Sequence, residues 1–112
     1  QYDGIPKKLD PGRTGCRLTN EGAELHEIGV ARTKTDTPLK KLLADEKRAD
    51  KETEFAGGTF AAQGDTAYAY VTLKNGRWAA VCFVPVGSVD PETEVDGPPH
   101  ASQGMVVEFK VS

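Results

Sequence analysis

Five stretches of the chain alternate apolar and polar residues with the two-residue period of a half-buried strand. Thr14 to Asn20 places Cys16 and Leu18 on one face and runs into a turn at Asn20-Glu21-Gly22. His26, Ile28 and Val30 share a face, opposite Leu25, Glu27 and Gly29. With Ile28 and Val30 on the core side, His26 faces inward at the start of its strand. Asp65 to Leu73 sets Ala67, Ala69, Val71 and Leu73 against Tyr68, Tyr70 and Thr72. Lys74-Asn75-Gly76-Arg77 carries the Asn-Gly hairpin signal, and the next strand runs from about Arg77 to Val84 with Trp78, Ala80 and Cys82 together. After Gly104, Met105, Val107, Phe109 and Val111 form one row and Val106, Glu108 and Lys110 the other. An opening edge strand before Thr14 is expected to be short or absent.

Between the second and third strands the period changes. Leu39, Leu42, Leu43 and Ala49 form a helical stripe, Asp36 or Thr37 can cap it, and Pro38 suits its first turn. The spacing predicts one helix over about residues 37–50. The charges from Asp45 to Glu54 alternate in sign and read as its solvated face and end. Gly57-Gly58 ends the pattern. Pro85 to Pro99 reads as a solvated loop rich in proline and acid; Glu92 and Glu94 match no calcium-loop spacing. Phe60, Tyr68 and Tyr70 read as the second face of a strand packed under a loop or the helix, in preference to an aromatic surface for a partner. Short apolar runs punctuated by 12 Gly and 7 Pro have the rhythm of an all-β sandwich with one inserted helix. At 112 residues the whole chain, 1–112, is expected to form a single domain.

Composition narrows the function classes. Hydrophobic content of 38% and charged content of 28% fit a globular chain. A net charge of −3 without a basic cluster argues against nucleic acid as a partner, and no apolar run reaches the roughly 20 residues of a membrane span. The chain starts at Gln1, which reads as a processed or truncated export product with any lipid-anchoring cysteine upstream. The expected location is therefore periplasmic, cell-surface or extracellular. No Gly-x-Ser-x-Gly element or Ser/His/Asp arrangement suggests an enzyme.

The chemistry-bearing residues are few: two His, two Cys and one Met. A thiolate, two imidazoles and a weak thioether form the ligand set of a mononuclear blue-copper site. Cys82, His100 and Met105 follow in that order in the last third of the chain, and His26 lies on a separate strand.

These segments resemble the cupredoxin family. Asn20-Glu-Gly-Ala-Glu-Leu-His26 is similar to the asparagine-turn-histidine region of plastocyanin-like proteins. Gly76-Arg-Trp-Ala-Ala-Val-Cys82 resembles their penultimate strand, and Pro99-His100-Ala-Ser-Gln-Gly104-Met105 their Pro-His followed by Gly-Met. Small exported bacterial cupredoxin-like proteins resemble it most, since they share the helix and a Cys-Phe-x-Pro element such as Cys82 to Pro85. The resemblance covers roughly Gly12 to Val111. It implies a Greek-key β-sandwich and copper held by His26, Cys82 and His100 as equatorial ligands with Met105 as the axial one. Asn20 and Glu27 would steady the ligand loops by hydrogen bonds. It further implies one-electron transfer through the outer edge of His100 to a transient redox partner protein, or copper storage or delivery.

One departure stands out. Cupredoxins place few residues between the Cys and the second His, whereas seventeen intervene here. A loop of that length closes at little entropic cost, but spacing alone does not bring His100 to Cys82. The competing reading is a metal-free interaction module that binds through the loop from Pro85 to Pro99, with Cys16 and Cys82 either paired or free. Cys16 precedes Asn20 by four residues, which places it ~13 Å from the ligand end at the usual strand rise, and a disulfide needs Cα atoms within about 7 Å.

Overall fold

The computed structural model describes residues 2, 4–84, 86–89, 95, 97–98, 100–103 and 105–112. The loop carboxylates Glu92 and Glu94 lie outside the described residues.

Among the described residues there are seven strands and two short helices: β1 Lys8–Leu9, β2 Gly12–Thr19, β3 His26–Thr33, α1 Leu39–Ala44, α2 Glu46–Glu52, β4 Thr53–Ala61, β5 Thr66–Leu73, β6 Gly76–Val81 and β7 Val106–Val111. A 3-10 helix, His100–Gln103, precedes β7. The larger sheet has the order β1-β7-β6-β3-β4, and β2 pairs with β5 in a second, two-stranded sheet. The ladder of β1 with β7 is parallel and the other ladders are antiparallel.

The inward rows meet between the sheets. Leu18, Val71 and Leu73 of the small sheet pack with Ile28, Val30, Trp78, Ala80, Phe109 and Val111 of the large one. Trp78 stacks on Phe109 with ring centroids 6.2 Å apart, and its Nε1–H donates to the Lys74 carbonyl. The alternation read from the sequence therefore places its apolar rows correctly. A separate, smaller cluster of Leu25, Cys82, Val84 and Met105 lies where β3, β6 and β7 meet their loops.

Five expectations need correction. The helix over 37–50 is two helices. Asp45 leaves the helical conformation, its N–H closes α1 on the Leu42 carbonyl, and its carboxylate accepts the Arg48 N–H to start α2. Asp36 and Thr37 do not cap α1, whose N-cap is Pro38. The Thr37 hydroxyl instead donates to Glu52, which also takes bonds from Thr35 and Arg48. Those donors hold the Glu52 carboxyl down at about 2 and stitch the end of the insertion to its beginning.

Gly57-Gly58 does not break the chain but sits inside β4. The register shifts there, with Val30 opposite Gly57 and Ala31 opposite Phe55, so Ala56 is the extra residue of a bulge. Gly57 has φ +147°, and a Cβ on Gly58 would lie 2.3 Å from the Ile28 carbonyl oxygen. The glycines let β4 bend while staying paired, which composition alone reads as a break.

Asn75-Gly76 is not a two-strand hairpin, because β5 and β6 lie in different sheets. The turn carries the chain across the sandwich, with Gly76 at φ +146° against the Arg32 guanidinium and the Asn75 carbonyl accepting from Arg32 Nε at 3.0 Å. Phe60, Tyr68 and Tyr70, expected under a loop or helix, are exposed; the helices lie instead beside Ala31, Thr33, Ala79 and Val81 of the large sheet, where Leu42 is buried and a groove remains bounded by Leu39 and Phe83.

The tight β3–β4 approach yields a direct prediction. Gly58→Ala should cost about 2 kcal/mol or more through overpacking, a fall in Tm on the order of 10 °C for a domain of this size. Thermal unfolding checks this; a Tm within about 2 °C of the parent would show that the strands part without cost.

Candidate metal centre

Cys82 is the first residue past β6, and its backbone is clamped to the segment that carries the other late candidates. Its N–H donates to the Met105 carbonyl at 3.1 Å, and its carbonyl accepts from Ala101 N–H at 2.7 Å. Two residues on, the Val84 carbonyl accepts from His100 N–H at 2.9 Å, and Val86 N–H donates to Pro98 at 2.7 Å. The two ends of the long loop thus pair with each other, and the seventeen intervening residues are no obstacle to bringing His100 beside Cys82. Met105 N–H closes the 3-10 turn on the His100 carbonyl at 3.1 Å, and the Met105 side chain is buried in the cluster that holds Cys82.

His26 arrives from the first position of β3. Its ring meets His100 edge to face, with centroids 4.5 Å apart. One ligand atom from each of His26, Cys82 and His100 lies within 4.8 Å of the others. The Cys82 Sγ to His100 Nδ1 distance is 3.7 Å. An ion bound to thiolate at ~2.3 Å and imidazole at ~2.0 Å would subtend about 120° over that distance, within the range of a trigonal or distorted tetrahedral arrangement. The His26 Nδ1 atom is buried and has no hydrogen-bond partner among the described residues. An orphaned buried ring nitrogen costs free energy unless something occupies it. The donor set and this orphaned atom both fit a metal ion.

Asn20 and Glu27 brace the ligands. Asn20 is 2% exposed; its amide donates to the carbonyls of Glu24 and Ala61 and its oxygen accepts from Gly22 N–H, which fixes the turn leading to His26. Glu27 N–H donates to Cys82 Sγ at 3.3 Å, and its carboxylate accepts from Phe83 N–H at 2.9 Å. Two further residues escaped the sequence reading. Glu24 accepts from His100 Nε2 at 3.1 Å and from Gly87 N–H. Tyr2 donates its hydroxyl to the Glu27 carbonyl. Glu24 shares the alternation of His26, two positions on, which is the one sequence signal that could have marked it; Tyr2 has none, because its contact spans 25 residues.

The expectation that the outer edge of His100 is nearest solvent is wrong. His100 is 7% exposed and its Nε2 is covered by Glu24, while His26 is only half-buried. Both rings border a shallow open depression with Ala23, Glu24, Val86 and Pro98. A Cys16–Cys82 disulfide is also absent: both thiols are free, Cys16 packing against the main core and Cys82 within the smaller cluster.

Burial raises the Cys82 thiol above its ordinary value, against the opposing pull of the Glu27 and Val84 N–H groups. Burial, then the neighbouring His100, lowers His26. The Gly87 N–H, then the His100 contact, lowers Glu24. The row Cys82, His100, Glu24 has the order of a nucleophile, base and orienting acid. Cys82 has 0% exposure and burial raises its pKa, the reverse of the exposed, low-pKa setting of a reactive thiolate. No family model, no curated protein and no solved structure matches this chain.

The thiol shift sets a pH dependence. Near neutrality Cys82 holds a proton that any metal must displace, whereas His26, lowered, is already neutral. Apparent affinity for a divalent ion such as Co(II) should therefore rise about tenfold per pH unit between about pH 6.5 and 8.5. Titration across that range checks it; a flat profile would show that Cys82 is not a ligand.

Proposed function

We propose that this chain is a mononuclear copper-binding protein, with His26, Cys82 and His100 as the strong ligands and Met105 as the weak axial one. The observation that carries the reading is the convergence of three soft or borderline donors, from His26, Cys82 and His100, within 4.8 Å of one another; the buried Nδ1 of His26 has no hydrogen-bond partner among the described residues. Thiolate with two imidazoles selects copper among common ions, and a buried thioether beside the sulfur suits an axial position. The chain resembles cupredoxins in the segments around His26, Cys82 and His100, and its strand order, with β2 and β5 crossing to a second sheet, suits a Greek key of that type.

One-electron transfer is the use that fits best. The ligands come from the end of one strand, the start of another and a turn clamped by backbone bonds. Such a frame holds similar geometries for Cu(I) and Cu(II), so little has to move when an electron arrives. Because Glu24 covers His100, exchange with a redox partner would pass through the depression where the half-buried edge of His26 lies. A transient contact of small area suits that role, in an exported, periplasmic or cell-surface setting. Copper storage or delivery would use the same ligands.

Adding Cu(II) to the purified chain should produce an intense visible absorption from thiolate-to-copper charge transfer. Cys82→Ser should abolish it, and His100→Ala should weaken Cu(II) binding at least about tenfold. Absence of the band in a folded parent chain with two free thiols would overturn the copper reading.

A further inference from the structure

Three contacts run in a line through the site. Glu27 N–H meets Cys82 Sγ at 3.3 Å, Cys82 Sγ meets His100 Nδ1 at 3.7 Å, and His100 Nε2 meets Glu24 Oε1 at 3.1 Å. A carboxylate only accepts, so the hydrogen in the last contact belongs to His100 Nε2. The neutral imidazole then has its lone pair on Nδ1, the atom turned toward Cys82 and the place an ion would occupy. In the metal-free chain the same lone pair can accept a hydrogen bond from the Cys82 thiol, whose proton a metal would displace.

Glu24 is itself held from two sides. Its carbonyl accepts from the buried Asn20 amide at 2.6 Å, and its carboxylate accepts from Gly87 N–H. It therefore ties the loop before β3 to the segment after Cys82 and to the His100 turn. Leu25 N–H, next along, donates to the Ser88 carbonyl at 2.8 Å and reinforces the same junction. A negative charge on the far side of an imidazole ligand makes that ligand a better donor, an effect that grows with the charge of the metal.

We propose that Glu24 is the positioning residue of this centre: it holds His100 as the Nε2–H tautomer with Nδ1 facing the ion, and its charge favours Cu(II) over Cu(I). The charge effect rests on the copper reading; the tautomer does not. The acid, not the imidazole edge, then forms the outer boundary of the centre at His100, and it tunes the potential downward.

Two measurements test the two halves. Long-range ¹⁵N–¹H NMR of the metal-free protein at about pH 8, above the ordinary imidazole range, reads the tautomer. The parent and Glu24→Gln should show His100 protonated at Nε2, because the amide oxygen still accepts, whereas Glu24→Ala should lose that preference. Nδ1–H in the parent overturns the positioning role. The reduction potential of the copper-loaded protein reads the charge. Glu24→Gln, which keeps shape, should lower the ratio of Cu(II) to Cu(I) affinity about tenfold, a rise of about 59 mV for one electron. A parent that takes up copper and a Glu24→Gln potential equal to it overturns the charge effect alone. A parent that takes up no copper overturns the charge effect and the copper reading together, while the NMR result still decides the tautomer.

Discussion

The centre depends on the backbone clamp around Cys82. The Cys82 N–H and C=O are both bonded to the segment from Ala101 to Met105, and the Val84 carbonyl accepts from His100 N–H. These bonds convert a seventeen-residue excursion into a closed loop whose two ends behave as neighbours. Remove them and His100 and Met105 have no reason to lie beside the sulfur. The cost of closing such a loop grows only with the logarithm of its length, so a few well-made backbone bonds and the burial of Met105 suffice to offset it.

The clamp works because it is mounted on a rigid frame. The main core, with Trp78 stacked on Phe109 and the inner rows of both sheets interleaved, fixes β3, β6 and β7 against one another. The second cluster of Leu25, Cys82, Val84 and Met105 is small and sits at the loop end of those strands. Its apolar walls surround the sulfur and raise its pKa. The polar elements, Asn20, Glu24 and Glu27, are arranged around that cluster and each holds a backbone or ligand group in place. Dry walls with fixed donors around them are what a metal site of constant geometry needs.

Much of this was legible in the sequence because burial writes itself as period two. The faces of His26, Ile28 and Val30, of Trp78 and Ala80, and of Phe109 and Val111 follow directly from alternation. So does the inward aim of His26, since it shares the row of Ile28. What escaped is long-range. Gly57-Gly58 looks like a break because nothing local says that β3 presses so closely on β4 that only glycine fits. Asn75-Gly76 has hairpin chemistry but serves a crossing between sheets, a choice made by the core and not by the turn. The single helix became two because Asp45 finds Arg48 N–H, a local preference that the apolar stripe outweighed in the reading. Glu24 and Tyr2 act through partners 76 and 25 residues away, distances at which spacing carries no signal.

We infer that one ion would be held by a single thiolate and two imidazoles in a frame that does not move on reduction. Copper K-edge X-ray absorption of the loaded chain, measured oxidised and reduced, tests it most directly. One short copper–sulfur contact and two copper–imidazole contacts are expected in both states, with only small changes in length between them. A first shell of nitrogen and oxygen alone, or one that reorganises on reduction, would contradict it.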